Sequence, residues 1–248
     1  MKIDSFRCLS GNILKIIAAI CMVIDHIGMI FFPSVVVYRI IGRITFPIFA
    51  FMIAEGAKYT RNKWKYLGLV AGLGLICELF YIFAMNDYYM CILVTFTLAI
   101  ITIYALQYFK KCLFDKEANT SDVLFSAFLF IVSVAFVVVA NHFLTIDYGF
   151  FGCMAPVMVS LFDFKNLDVP KWLRTLDNLY VRNLLLGVSL VGIYSVSGGY
   201  RLYALIGLLP LCLYSEKRGR VNMKYFFYIF YPVHLVILQG IAMLIYSV

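Results

Sequence analysis

The run Ile24-Asp25-His26-Ile27-Gly28, then Tyr38-Arg39-Ile40-Ile41-Gly42-Arg43-Ile44-Thr45-Phe46-Pro47-Ile48-Phe49-Ala50-Phe51 and Glu55-Gly56, decides how this chain is read. It sets two carboxylates, an imidazole and two guanidiniums among apolar residues. The whole chain has that apolar character, with 64% hydrophobic and 14% charged residues in 248 positions and a mean hydropathy of +0.94. A soluble domain is nearer half apolar and about a quarter charged. The uncharged stretches 89–109, 123–141, 183–200 and 225–248 each approach the ~20 residues that cross hydrocarbon as helix. The alternating pattern of an outer-membrane barrel is absent, so the expected fold is all-α, a polytopic transmembrane helical bundle. Ionisable side chains inside such spans face protein or water rather than lipid, which makes them functional candidates.

About nine spans are expected, near 13–32, 38–57, 65–85, 89–109, 123–141, 147–163, 183–198, 200–215 and 225–246, in a single domain over 1–248. The 21 lysines and arginines, apart from Lys15, Arg39, Arg43 and Arg201, fall before the first span or in alternate connections. These hold Lys2 and Arg7, then Lys58 to Lys65, Lys110 to Lys116, Lys165 to Arg182, and Lys217 to Lys224. The intervening connections, Pro33-Ser34, Asn86-Asp87-Tyr88, Asn141 to Thr145 and Ser197 to Arg201, hold almost none. The positive-inside rule then predicts a cytoplasmic N-terminus and an outside C-terminus. This distribution also accounts for the net charge of +8 without nucleic acid. The first span carries Lys15, Asp25 and His26, so it reads as a retained span rather than a cleavable signal. The seven cysteines are scattered without a C-x-x-C, and neither a disulfide framework nor a metal site is expected.

Lys15 and His26 share a helix face, because eleven residues return close to the starting angle. Asp25 lies off that stripe. Arg39 and Arg43 are neighbours at i and i+4, and the simplest pairing is Arg43 with Asp25. Pro47 is expected to kink the second span. Glu55 precedes a basic turn from Lys58 to Lys63 that includes Arg61 and Asn62. That turn either binds phosphate, as forked arginines do, or only sets topology. Glu78 lies deep in the third span, and Asp147 either caps the sixth helix or serves a cavity. His234, beside Tyr231 and Pro232, falls near the middle of the last span. A histidine near a carboxylate is a general-base candidate.

These motifs resemble the TraX family of bacterial membrane proteins. The matching pieces are Leu14 to Ala18, Asp25 to Gly28, Tyr38 to Phe51, Glu55-Gly56, Arg61-Asn62, Glu78, Asp147-Tyr148-Gly149, Lys217-Arg218-Gly219 and Tyr225 to Leu238. The resemblance implies acetyl transfer, since the family's namesake acetylates the N-terminal amine of a conjugative pilin. The family is also similar to membrane acyltransferases that modify sugars, in which a basic residue precedes a histidine by eleven positions on the first helix. Lys15 and His26 match that spacing, with lysine where arginine is usual. The implied donor is cytoplasmic acetyl-CoA or another acyl-CoA, with no metal.

On that reading His26, Asp25 and Arg43 are the catalytic candidates. Lys15, Arg39, Glu55, Arg61, Asn62, Glu78, Asp147, Tyr231 and His234 are the candidates for holding the acyl-CoA. The implied partners are membrane lipids and either a pilin-like peptide amine or a cell-surface glycan, at the bacterial cytoplasmic (inner) membrane. Two alternatives remain open. One is a transporter or flippase that uses the same polar groups as a path. The other is a non-catalytic subunit of a conjugation or secretion apparatus.

Overall fold

A computed structural model describes residues 7–85, 88–197, 199–221 and 223–246. Lys2, Asn86, Asp87 and Gly198, used in the topology argument, lie outside the described residues. The elements are α1 Gly11–Phe31, α2 Val36–Gly42, α3 Thr45–Tyr59, α4 Lys63–Met85, α5 Ile92–Phe114, α6 Thr120–Phe143, α7 Gly149–Val159, α8 Lys171–Arg174, α9 Leu179–Ser197, a 3-10 segment Gly199–Gly207, α10 Leu208–Cys212 and α11 Lys224–Tyr246. Taking α2 and α3 together, seven helical stretches among the described residues are long and apolar enough to cross a membrane. The architecture is a polytopic helical bundle.

Three of the nine expected segments are not continuous long helices. The second is broken, with α2 ending at Gly42 and α3 beginning at Thr45. The kink expected at Pro47 is therefore a break before it. Proline has no N–H, and its ring clashes with a helical carbonyl four residues earlier. In the first turn of α3 neither problem arises, because that turn's N–H groups have no intrahelical acceptor. The sixth segment holds α7, whose 11 residues extend ~16 Å at ~1.5 Å per residue, well short of ~30 Å of hydrocarbon. The eighth is the 3-10 run followed by the five-residue α10.

The chain forms two compact units, residues 1–52 with 194–248 and residues 53–193. In the first, α1 starts at a well-satisfied cap. Ser10 Oγ accepts the Ile13 N–H at 3.4 Å, and the Gly11 and Asn12 N–H groups donate to the carbonyls of Lys217 and Arg218 at 2.8 and 3.0 Å. Three orphan donors of the helix are thereby paired. Gly219 closes this contact at φ 101°, against Ser10 and Asn12, in a conformation that favours glycine. The Lys217-Arg218-Gly219 motif thus anchors α1 through its backbone. Leu14, Ala18, Cys21 and Met22 form the buried stripe of α1. Helix α11 runs alongside in the same direction, with Lys15 against Phe227 and His26 against His234. Both helices therefore start at one face of this unit.

In the second unit α5 packs against α4, α6 and α7. Ala57, Ile103, Leu106 and Val157 form part of its core. α6 buries only Ser126 and Val137 among its described residues, which suits a helix bathed in lipid. The short α7 ends on two buried cations. Lys110 Nζ donates to the carbonyls of Ser160 and Asp163 at 2.8 and 2.6 Å. Arg182 Nε donates to Val159 O at 3.3 Å. These groups take up carbonyls left open by a helix C-terminus, where positive charge is favoured. Glu55 balances Arg182 at 2.6 Å, and Asp163 balances Lys58 at 3.0 Å. Lys116 pairs with Asp168 at 2.9 Å on the surface. Three connections expected to be basic and cytoplasmic thus gather at one end of the unit.

Arg182 is 1% exposed, so losing it strands Glu55 as a buried charge. Thermal unfolding in detergent should show Arg182→Ala destabilised by about 3–5 kcal/mol. The double change Glu55→Leu with Arg182→Leu should recover most of that loss. A double variant no more stable than the single one would contradict the stranded-charge explanation.

Candidate active site

The polar residues of the first unit converge. Asp25 on α1 meets both arginines of α2. Arg39 Nη1 lies 3.1 Å from Asp25 Oδ1, and Arg43 Nη2 lies 3.4 Å from each Asp25 oxygen. Arg43 also donates from Nε to Arg39 O at 3.2 Å, and its guanidinium stands 5.5 Å over the Tyr200 ring. The expected Arg43–Asp25 pair is present, with Arg39 as a second partner. The carboxylate offsets one of the two guanidinium charges at close range, and the cluster keeps a net positive charge in an apolar bundle.

His26 does not use Asp25 as its hydrogen-bond partner. Its Nδ1 lies 2.8 Å from Met22 O, one turn back on α1, and 3.4 Å from His234 Nε2 on α11. The two rings meet edge to face at 5.0 Å. A carbonyl only accepts, so His26 Nδ1 carries the proton and the neutral ring keeps its Nε2 lone pair. His26 is therefore tied to its own helix through Nδ1. Asp25 is committed to the arginines beside it.

The other candidates of this unit lie along α1 and α11. Lys15 Nζ stands 5.7 Å over the Phe227 ring, about 16 Å along α1 from His26. Tyr231 packs its ring edge-on to His234 at 5.7 Å. Lys15 and His26 share one face of α1, as expected, and that face meets α11.

In the second unit the candidates take up structural contacts. Glu55 is buried against Arg182. Asn62 Oδ1 accepts the Lys65 N–H at 2.8 Å at the start of α4, while Arg61 is exposed. Within the basic turn Lys58 is held by Asp163, and Lys63 stands 5.1 Å over the Tyr104 ring. Glu78 Oε1 accepts the Cys91 N–H at 2.7 Å, just before α5. A carboxylate there complements a helix N-terminus. Asp147 does not cap α7, whose N-cap is Tyr148 in the left-handed region. Its Oδ1 accepts the Tyr89 hydroxyl at 2.6 Å, and its carbonyl accepts Thr95 Oγ1 at 2.8 Å.

With this geometry in hand, the comparisons agree with the sequence resemblance. The TraX protein family matches residues 10–242. The chain belongs to the TraX family. It is 28% identical over 242 residues to the probable fimbrial assembly protein FimC, serogroup H1, of Dichelobacter nodosus, covering 93% of this chain and 94% of that protein. A shorter stretch of 40 residues is 50% identical to an uncharacterized protein of Rickettsia prowazekii (strain Madrid E), 16% of each chain. No solved structure matches.

The glycines of the TraX motifs have a physical reason here. A Cβ at Gly42 would overlap the Asp25 carboxylate, and one at Gly28 would overlap Tyr38. Both glycines mark the closest approach of α1 and α2. Sequence reasoning assigned them no role, and it missed Tyr200, whose neighbour Arg43 is 157 residues away in the chain. Gly42→Ala should drive the Asp25 carboxylate off the arginines and destabilise the protein by about 1–3 kcal/mol, the cost of overpacking. Thermal unfolding in detergent checks this. An unchanged melting temperature would show that the close approach does not hold the pair.

Proposed function

We propose that this protein is a membrane acyltransferase. It moves an acetyl or short acyl group from cytoplasmic acyl-CoA to an amine or hydroxyl acceptor at or beyond the membrane. The observation that carries the reading is the Nε2 of His26, which has no hydrogen-bond partner among the described residues, set beside Asp25, Arg39 and Arg43 in a largely apolar bundle. The bacterial cytoplasmic membrane, with the basic connections inside, is the compartment where acyl-CoA meets such a bundle. The D. nodosus relative is named a fimbrial assembly protein, which favours the N-terminal amine of a pilin-like peptide as acceptor over a glycan hydroxyl.

In this reaction the thioester already carries the activation, so the protein aligns it and manages one proton. The acceptor hydrogen-bonds to His26 Nε2 and gives up its proton as its nitrogen or oxygen attacks the acyl carbon. The carbonyl oxygen becomes an oxyanion, and Arg43 is the nearby positive group that stabilises it. The intermediate collapses with loss of the CoA thiolate, which takes the proton back from His26. Asp25 keeps Arg43 in place and offsets part of its charge. Lys15 faces the nucleotide phosphates at the start of α1.

One observation favours a second reading, transport or flipping of a solute. The break between α2 and α3 packs against another interrupted span, since a Cβ at Gly207 would overlap Pro47 and crowd Ile44 O. Broken helices that meet are the usual construction of transporter sites. A non-catalytic assembly subunit is the third possibility.

Purified protein in nanodiscs, given labelled acetyl-CoA and a panel of peptide amines and sugars, separates these readings. Acyl transfer is expected, and a folded His26→Ala variant should lose about 10²–10⁴-fold in turnover. Full turnover in that variant would remove His26 from the chemistry. Solute movement by protein that binds no CoA would establish the transporter instead.

A further inference from the structure

We infer that His234 is a positioning residue that sets the orientation and proton placement of His26; the inference rests on the acyltransferase reading for its catalytic meaning. His234 Nδ1 lies 3.0 Å from Phe230 O on its own helix. That carbonyl only accepts, so the His234 proton sits on Nδ1 and its Nε2 presents a lone pair. The lone pair lies 3.4 Å from His26 Nδ1, which carries a proton bound to Met22 O at 2.8 Å. The His26 Nδ1 proton is thus shared between a carbonyl and an imidazole. Both rings keep the same tautomer, and among the described residues His26 Nε2 is the ring nitrogen of the pair left without a partner.

The ring of His234 is itself held. It stacks on Phe230 at 5.2 Å with an angle of 9° between planes, and Tyr231 closes its edge at 5.7 Å. His234 is therefore a fixed acceptor. When His26 takes a proton from the acceptor substrate, the new imidazolium directs its Nδ1–H to a neutral lone pair. In hydrolases a carboxylate fills that place. Here Asp25 is occupied by Arg39 and Arg43, and a neutral imidazole takes the position without adding a charge to the bundle. Protonation of His234 on Nε2 would set two donors face to face at 3.4 Å, so the pair takes up its one additional proton at His26 Nε2. Among the described residues, Arg39 and Arg43 on α2, both paired with Asp25 on α1, act on His26, and Tyr231 on α11 stands against His234.

The test uses the full-length protein labelled with ¹⁵N-histidine, with folding of each variant checked by thermal unfolding. His234→Gln keeps an acceptor near the Nε2 position, and His234→Ala removes it. The wild-type His26 Nδ1 proton should resonate at low field and exchange slowly with water. His234→Ala should move it upfield and open it to exchange, and His234→Gln should retain it. Turnover should fall about 10- to 100-fold in the alanine variant, as when a catalytic group is slightly misplaced, with KM for acetyl-CoA unchanged and most of the rate restored by glutamine. An unmoved Nδ1 proton with unchanged turnover in His234→Ala overturns the inference, as does equal loss in both folded variants. A wild type that transfers no acyl group but shows the expected Nδ1 pattern refutes the acyltransferase reading and leaves the histidine pair standing.

Discussion

The Asp25 carboxylate, held between Arg39 and Arg43, is the interaction on which the rest of this site depends. Two guanidiniums inside an apolar bundle need a counter-charge at close range, and a buried pair broken on one side is strongly destabilising. The carboxylate reaches them because Gly42 leaves room on α2 and Gly28 lets α1 and α2 close together. Once α2 is fixed to α1, Arg43 comes to rest against Tyr200, and the break before Pro47 fits against Gly207. The electrostatic pair and the packing of the broken helix are therefore one construction.

That construction leaves His26 to other partners. Asp25, the carboxylate next to it in sequence, is fully engaged with α2, so the imidazole turns to its own helix carbonyl and to His234. Both contacts act on Nδ1. The proposed base is therefore Nε2, and no additional negative charge has to be buried to hold it. Lys15 lies on the same face of α1, toward the end anchored by the Lys217-Arg218-Gly219 backbone.

The bundle was legible because lipid demands long apolar helices, and the chain spells out most of them without charge. The Arg43–Asp25 pair was legible too, because helical rise alone sets the two residues at similar depth. Other features were hidden for physical reasons. His26 and His234 are 208 residues apart, and no local periodicity links them. The helix break at Arg43-Ile44 follows from Pro47, but whether proline kinks or starts a helix depends on packing against Gly207. Glu78 is a candidate by its depth in the third span and by the family resemblance. Its use at the start of α5 becomes visible only when α4 and α5 pair. Lys110 and Arg182 looked like topology markers, and their hold on the end of α7 arises only from tertiary contact.

The most direct test of the central claim is a structure of the protein with a non-hydrolysable acetyl-CoA analogue bound in a nanodisc. The account predicts the acyl carbonyl roughly 4–6 Å from His26 Nε2, room for one acceptor atom hydrogen-bonded to the base and poised for attack. An acyl group bound away from His26, or a protein that takes up no analogue at saturating concentration, would contradict it.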